Sequence, residues 1–471
     1  MAESGKVMTR REVLRYVPAL SALRLLGQND PRPDSFKVYT ESPRLLLRPQ
    51  RLRLLRRERE RRSLRWDQFE TLWAGNAPFP ELGWVQALRF QIADDREAGV
   101  RAVAWAVGPA DIQRPDDVRQ MAIISDWCEP LISRDDKSQL FAKLLRAVND
   151  PRPVKTLAGA RAKIFAAISL AGSQTDAHLN ASRKAIESVF DGFWNGSFIA
   201  SLRSAKSAVP NADAYAMLEI LHVVRDNLIF DLRETFPAWF RQYPLLHLLA
   251  HYPLPWPAGE NEFRIPADET IDRAGPDVRK AALSRAAELA MVAYDANAPS
   301  SQLLQGWVTN DRFLLRGAFG IPYEFLWANP YQPGLSYYHV PLAIHDEIGG
   351  QLFVRSSWED DARWLGFFGG QVQLFKDGEV TRVDPKAARE PLDLDAAIVF
   401  FARESKKFVI PAKEAGKEGD ATVFIVGLDP RSSWHVEVDG EEMIEQTADP
   451  GGIVYLPAVP SGGVRLGPAP V

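Results

Sequence analysis

The 471-residue chain holds one cysteine, Cys128. No internal disulfide can form, and no Cys-x-x-Cys pair or Cys/His zinc cluster is available. In Asp126-Trp127-Cys128 the thiol reads as a buried helical side chain rather than a nucleophile. No apolar run approaches the ~18 to 20 residues that cross a bilayer, which excludes an internal membrane span. A glycine-rich phosphate loop is missing, and so is the nucleophile-elbow motif of Ser-His-Asp hydrolases. No metal ligand set and no cofactor are expected from what is left.

Charge is scarce in net terms and uneven in placement. The formal net charge is −4, yet residues 335–471 carry 13 basic and 22 acidic side chains, which leaves the rest at +5. Ten arginines lie between Arg44 and Arg65 against only Glu58 and Glu60. Such a block is either a solvated helix face or an anion-binding surface. Nucleic acid is not an expected partner, because the chain as a whole is not basic and no aromatic-interleaved motif accompanies the block.

Thr9-Arg10-Arg11-Glu12-Val13-Leu14-Arg15, followed by the semi-apolar stretch Tyr16 to Leu26, resembles a twin-arginine export signal. Arg24 interrupts that stretch, so an ordinary amphipathic helix is the alternative. Export would place the protein in the periplasm or outside the cell, and otherwise it is cytoplasmic. Residues 1–35 are accordingly set apart from the fold.

From about Pro49 the pattern is helical. Candidate helices run from Pro49 to Trp73, Asp116 to Cys128, Arg134 to Val148, Thr156 to Leu170, Asp176 to Phe190, Asp213 to Arg225, Asp231 to Leu249, Asp277 to Tyr294 and Ser300 to Trp307. Several open on Asp, Ser or Thr. The pattern changes at Ala328-Asn329-Pro330-Tyr331-Gln332-Pro333-Gly334. Beyond it come short strand candidates, Gln351 to Ser356, Arg363 to Phe368, Gln371 to Phe375, Ala397 to Ala402, Phe408 to Ile410, Thr422 to Val426 and Trp434 to Asp439, with Asp-Gly turns at Asp377 and Asp439. The chain is therefore expected to be multi-domain, α then β: helices over 36–328 stacked as antiparallel pairs, then a β-sandwich over 329–471.

Two stretches carry a resemblance. Ser42-Pro43-Arg44-Leu45-Leu46-Leu47-Arg48-Pro49 resembles the entry segment of heparinase II/III-like and alginate-lyase-like proteins. Leu352-Phe353-Val354-Arg355-Ser356-Ser357-Trp358, running on to Trp364-Leu365-Gly366-Phe367, is similar to the opening strands of that family's sandwich. The resemblance implies an incomplete α/α toroid followed by an antiparallel β-sandwich, with an anionic, uronic acid-containing polysaccharide bound between them and cleaved by β-elimination. That reaction needs a carboxylate neutraliser, a base for the C5 proton and an acid for the leaving oxygen. This chain departs from the pattern twice. Pro153-Val154-Lys155-Thr156-Leu157-Ala158-Gly159-Ala160 stands where the family has an Asn-x-His-Asn motif, and Gly369-Gly370-Gln371-Val372-Gln373-Leu374-Phe375-Lys376 stands where it has His-x-His-x-Asp.

Other residues are left to supply chemistry. Asn211, Tyr215, Glu219 and His222 are spaced four, four and three apart, a polar stripe on an otherwise apolar helix. Lining a cleft, Tyr215 would be acid or base, Asn211 a carboxylate binder and Glu219 an orienting group; the alternative is a stripe that faces water. Glu219-x-x-His222 has the spacing of helical metal sites, but only one copy is present. His251 and Tyr252, with Trp256, sit in a proline-stiffened loop, and Tyr337, Tyr338 and His339 follow the join. The catalytic candidates are thus Tyr215, Asn211, Glu219, His251, Tyr252 and His339, with Trp256, Tyr337, Tyr338 and Arg233 as substrate-binding residues. A lyase acting on an acidic glycan, a catalytically degenerate glycan-binding or scaffold relative, and a toroid-type glycoside hydrolase using paired carboxylates are the three readings. The oligomeric state is not indicated.

Overall fold

The computed structural model describes residues 38–39, 41–203, 211–258, 261–267, 276–310, 317–329, 331–386, 390–402, 407–410, 421–440 and 444–469. The signal-like stretch at the N-terminus lies outside them, as does Pro330. The described residues belong to one contact unit, Ser35–Val471. Helices occupy its first part and strands its last, so the chain is α then β.

The helices are α1 (Pro49–Glu60), α2 (Leu64–Ala74), α3 (Leu82–Ala93), α4 (Arg96–Val107), α5 (Pro115–Trp127), α6 (Arg134–Val148), α7 (Leu157–Ala171), α8 (Asp176–Ser188), α9 (Asn211–Leu228), α10 (Pro237–Leu249), α11 (Val278–Tyr294), α12 (Pro299–Asn310) and α13 (Ile321–Trp327). The single helix expected from Pro49 to Trp73 is two. Arg62 turns left-handed at φ 51°, and the Ser63 hydroxyl accepts the Trp66 amide to start the second helix. Asp231 likewise caps a short 3-10 turn, Leu232–Thr235, and α10 begins only at Pro237. A π-helical turn, Val189–Ile199, extends α8.

Burial sorts the helices. In α5 every residue from Asp117 to Trp127 is buried, and α7, α9, α11 and α13 are nearly as enclosed. Such helices have no solvent face, so a polar stripe on one of them, as on α9, meets other protein groups rather than water. They pack in succession, α3 on α5, α5 on α7, α7 on α9, α9 on α11, α11 on α13 and α13 on α2, while α1 touches both α2 and α3. The more exposed α4, α6 and α8 lie against this inner set.

The arginine block covers one pole of the inner helices. Arg48 Nη1 donates to the Asp226 carbonyl near the end of α9 (2.7 Å), Arg51 Nη1 to Leu326 and Trp327 at the end of α13 (3.0 and 3.1 Å), and Arg56 to Gln91 near the end of α3. Asp126, in the last turn of α5, accepts the Arg44 and Leu45 amides (2.7 and 2.8 Å), and its carboxylate pairs with Arg44 Nε at 2.9 Å. Cations beside terminal carbonyls satisfy orphan acceptors and offset the negative end of the helix dipole. Arg44, Arg48 and Arg51 therefore serve neither a solvated face nor an anion site, whereas Arg53, Arg57, Arg61 and Arg62 are exposed. The first three fasten the buried segment Leu45-Leu46-Leu47 against the helix C-termini.

Among the described residues the strands form three main sheets, of five, four and four strands, and β1 (Trp256–Ala258) and β2 (Asn261–Phe263) form a separate hairpin. In the first are β3 (Ala343–Asp346), β4 (Gln351–Arg355), β5 (Trp364–Phe368), β6 (Gln371–Lys376) and β7 (Glu379–Val383). The second holds β8 (Leu392–Asp393), β9 (Ile398–Phe401), β11 (Ala421–Val426) and β14 (Val454–Val459). The third holds β10 (Lys407–Ile410), β12 (Ser433–Val438), β13 (Ile444–Thr447) and β15 (Gly462–Pro468). Val399, Phe401, Phe424 and Val426 pack toward the first sheet, whereas Phe400, Val423 and Ile425 pack toward the third. The middle sheet is buried on both faces, which explains the unbroken apolar runs Ile398 to Phe401 and Val423 to Val426. A two-sheet antiparallel sandwich was expected; the middle sheet is a third layer, and β9 and β11 pair in parallel.

The helical core continues into the first sheet through Phe353, Trp358, Trp364, Phe368 and Phe375. Trp364 Nε1 donates to the Leu249 carbonyl at 2.8 Å, and α10 packs on β3 and β4.

Candidate functional site

The polar stripe of α9 is sealed in. Tyr215 is 1% exposed, Glu219 0% and His222 3%, so the stripe neither faces water nor lines an open cleft. Its partners come from neighbouring inner helices. Arg119 of α5 grips Glu219 with two bonds, Nε at 2.7 Å and Nη2 at 2.5 Å, and Arg161 of α7 adds a third at 2.8 Å. The Tyr215 hydroxyl donates to Glu219 at 2.7 Å and accepts Trp327 Nε1 at 3.0 Å. Burial pushes the Glu219 carboxyl up, but the two guanidiniums and the phenol outweigh it and hold it below the usual range. Burial and the Glu219 charge push the Tyr215 phenol well above its ordinary value. This is a buried ionic knot in which every Glu219 contact is made by Arg119, Arg161 or Tyr215, and no polysaccharide reaches the phenol in this conformation. His222 does not join Glu219 in a metal site; its Nε2 lies 2.9 Å from the Ala290 carbonyl. Asn211 begins α9, and its side chain lies outside the described residues.

His251 and Tyr252 are adjacent but serve different neighbours. The Tyr252 hydroxyl meets Gln373 Oε1 of β6 at 2.5 Å and the Ala267 carbonyl at 3.0 Å, and its ring packs on Trp364 and Phe375. It pins the helical part to the first sheet. His251 is 2% exposed and joins His247 and Glu288. The Ser284 hydroxyl lies 3.1 Å from His247 Nε2 and 3.0 Å from His251 Nε2. Burial lowers both imidazoles, His251 to about 4, and pushes Glu288 up to about 7. Among the described residues this is the cluster whose ligand atoms lie close enough together, within 4.8 Å, to hold a metal ion. The sequence reading named no metal ligands, although His-x-x-x-His at 247 and 251 was visible as one helical turn.

Tyr337 and Tyr338 stack at 4.4 Å, with Tyr337 edge-on to Trp307 and Trp358; Tyr338 and His339 are exposed. Trp256 is half-buried on β1 opposite Phe263. Arg233 is paired with Asp231 at 2.8 Å and Asp295 at 3.3 Å and lies over the Tyr294 ring. The predicted residues therefore fall into separate groups with separate partners.

A different surface collects exposed charge. Between the first turns of α5 and α7 lies a depression of about 460 Å³ lined by Gln113, Pro115, Val118, Arg152, Lys155, Thr156, Gly159 and Lys163, among others. A second, of about 570 Å³, shares Ile112, Gln113, Asp150 and Arg152 with it and adds Arg146. Four cations line this groove against one carboxylate, Asp150, which Arg152 already binds at 2.5 Å. Both helices point their N-termini here, so their dipoles add positive potential. Thr156 caps α7 through the Gly159 amide at 3.1 Å. At its edge Arg161 pairs with the partly exposed Asp116 at 2.7 Å, linking the groove to the ionic knot. The groove is walled by the same Pro153 to Ala160 stretch that lacks the Asn-x-His-Asn motif.

No protein-family profile and no curated protein matches the chain. Among solved structures, a chain titled glycoside hydrolase is similar over 92% of this chain and 77% of its own, at 9% identity and a TM-score of 0.32.

Proposed function

We propose that the protein is a carbohydrate-active protein of the toroid-and-sandwich type that binds an acidic, uronate-containing polysaccharide in the groove between α5 and α7. The observation that carries this is the groove's charge: Arg146, Lys155 and Lys163 line it, Arg152 is paired with Asp150, and Asp116 at the edge is paired with Arg161. Arginine suits carboxylate recognition through its planar fork, and lysine adds mobile charge. The volume falls in the range of small-ligand sites, roughly 300–1,000 Å³. The succession of inner helices, each packed on the next, supports reading the helical part as an α/α toroid, and the sequence resemblance supports the glycan class.

β-Elimination is the second reading. It rests on the sequence resemblance, because the buried Tyr215 phenol connects to the groove edge only through the chain Glu219, Arg161 and Asp116. The test uses oligouronates, sulfated uronate oligosaccharides and neutral oligosaccharides of matched length, followed by calorimetry and by the absorbance of unsaturated ends. Binding should favour the anionic ligands, weaken with salt, and fall at least about tenfold in the double variant R152E/K155E. Equal binding of neutral ligands, or an unaffected double variant, sinks the reading. Unsaturated products lost in Tyr215→Phe would establish elimination; tight binding without product would establish a binding protein.

A further inference from the structure

We propose that His247, His251 and Glu288 form a buried structural site for a divalent transition-metal ion, zinc by ligand type, beside the junction of helices and first sheet. The inference is independent of the glycan reading.

The spacing is the first ground. Both Nε2 atoms face the same carboxylate oxygen, Glu288 Oε1, at 3.8 Å from His247 and 3.7 Å from His251. That is too long for a hydrogen bond. It is close to the separation of two ligands on a tetrahedral zinc, about 3.4 Å for bonds of about 2.1 Å. The Ser284 hydroxyl, near 3 Å from both nitrogens, closes the fourth side.

The surroundings prepare His251 and Glu288. His251 Nδ1 lies 2.8 Å from the His247 carbonyl, which can only accept, so the proton sits on Nδ1 and the Nε2 lone pair points into the cluster. Outer hydrogen bonds of this kind orient metal-binding imidazoles. Arg285 Nη1 holds the other Glu288 oxygen at 3.2 Å, leaving Oε1 toward the imidazoles. Arg285 also lies 3.9 Å from Glu324, so a second carboxylate offsets its charge. His247 comes from the last turn of α10, His251 from two residues beyond it and Glu288 from α11, and all three are at most 3% exposed. A closed site of this sort clamps elements rather than presenting an open position to substrate. What it would clamp is specific: the Leu249 carbonyl and Tyr252, on either side of His251, make the bonds to Trp364 and Gln373 of the sheet.

The test uses the full-length protein. Metal content is measured after purification without chelator, and chelator-stripped protein is then titrated with Co²⁺ while visible absorption and melting temperature are followed. The expected results are about one zinc per chain, intense tetrahedral cobalt bands, and a melting temperature that falls on stripping and recovers with zinc. His251→Gln and Glu288→Gln should lose the bands, and their melting should ignore zinc. Two variants guard against one that misfolds, and the wild-type titration needs neither. Folded wild-type protein without metal and without cobalt bands overturns the proposal, leaving a chain from His247 through Ser284 to His251. Bands that persist in both variants overturn it equally.

Discussion

Replacing Glu219 by glutamine tests the ionic knot directly. The carboxylate accepts four bonds, two from Arg119, one from Arg161 and one from Tyr215, and Glu219 itself is fully buried. Glutamine offers one oxygen and turns an amide donor toward guanidiniums that can only donate. Breaking a buried pair from one side costs about 3–5 kcal/mol, a large share of the ~5–15 kcal/mol that keeps a typical protein folded. With a urea slope of about 3 kcal/mol per molar, the unfolding midpoint should fall by roughly 1–1.7 M. Tyr215→Phe removes one donor to Glu219 and the acceptor of Trp327 Nε1, so it should cost less, about 1–3 kcal/mol. The pH dependence has a definite sign. The folded Glu219 pKa lies below its ordinary 4.5, so its stabilisation is complete above that value and is lost as pH falls through the folded one. The gap between wild type and Glu219→Gln should therefore close in acid. Urea melts followed by circular dichroism at neutral and acidic pH measure both effects. A neutral-pH midpoint within about 0.3 M of wild type would refute the reasoning.

Gly306→Ala should loosen the join. A Cβ there would lie 1.7 Å from the Leu335 carbonyl oxygen, and the Leu335 amide is bonded to Gln302 at 2.9 Å. The clash is with backbone, so a loss of about 1–3 kcal/mol is expected in thermal melts, whereas Gly192→Ala, with nothing within 4 Å, should be neutral. Cys128 should resist thiol reagents until the protein unfolds, because it is fully buried and burial pushes its thiol up to about 12. Rapid stoichiometric labelling of native protein by a disulfide reagent would contradict this.

The strands were legible where apolar runs met turn signals, and those read from Gln351 to Asp439 reappear within a residue or two. Helix α3 was missed because its cap position, Glu81, makes no side-chain capping bond and its Gln86 and Gln91 are buried with the apolar residues, which erases the amphipathic signal. The stripe on α9 was visible, but its orientation was not. Glu219 meets Arg119 100 residues away, and nothing local to α9 distinguishes that partner from water. His251 was singled out as a loop residue, whereas its meaning depends on Ser284 and Glu288 of another helix. The groove escaped notice for the opposite reason. Arg152, Lys155 and Lys163 are unremarkable one by one, and folding around two helix starts concentrates them.

The arginines of α1 and α2 also impose an order on synthesis. Arg51 caps carbonyls 275 and 276 residues further along, and Arg65 pairs with Glu324 at a separation of 259. A ribosome releases these arginines long before it releases their acceptors. Until Trp327 emerges, the early helices wait with one flank unclosed, and the nascent chain holds apolar surface that only the last inner helix covers. Closing so large a loop is slow on topological grounds. A chain stopped before α13, or begun after α1, should therefore not be a smaller version of this protein but an unfinished one.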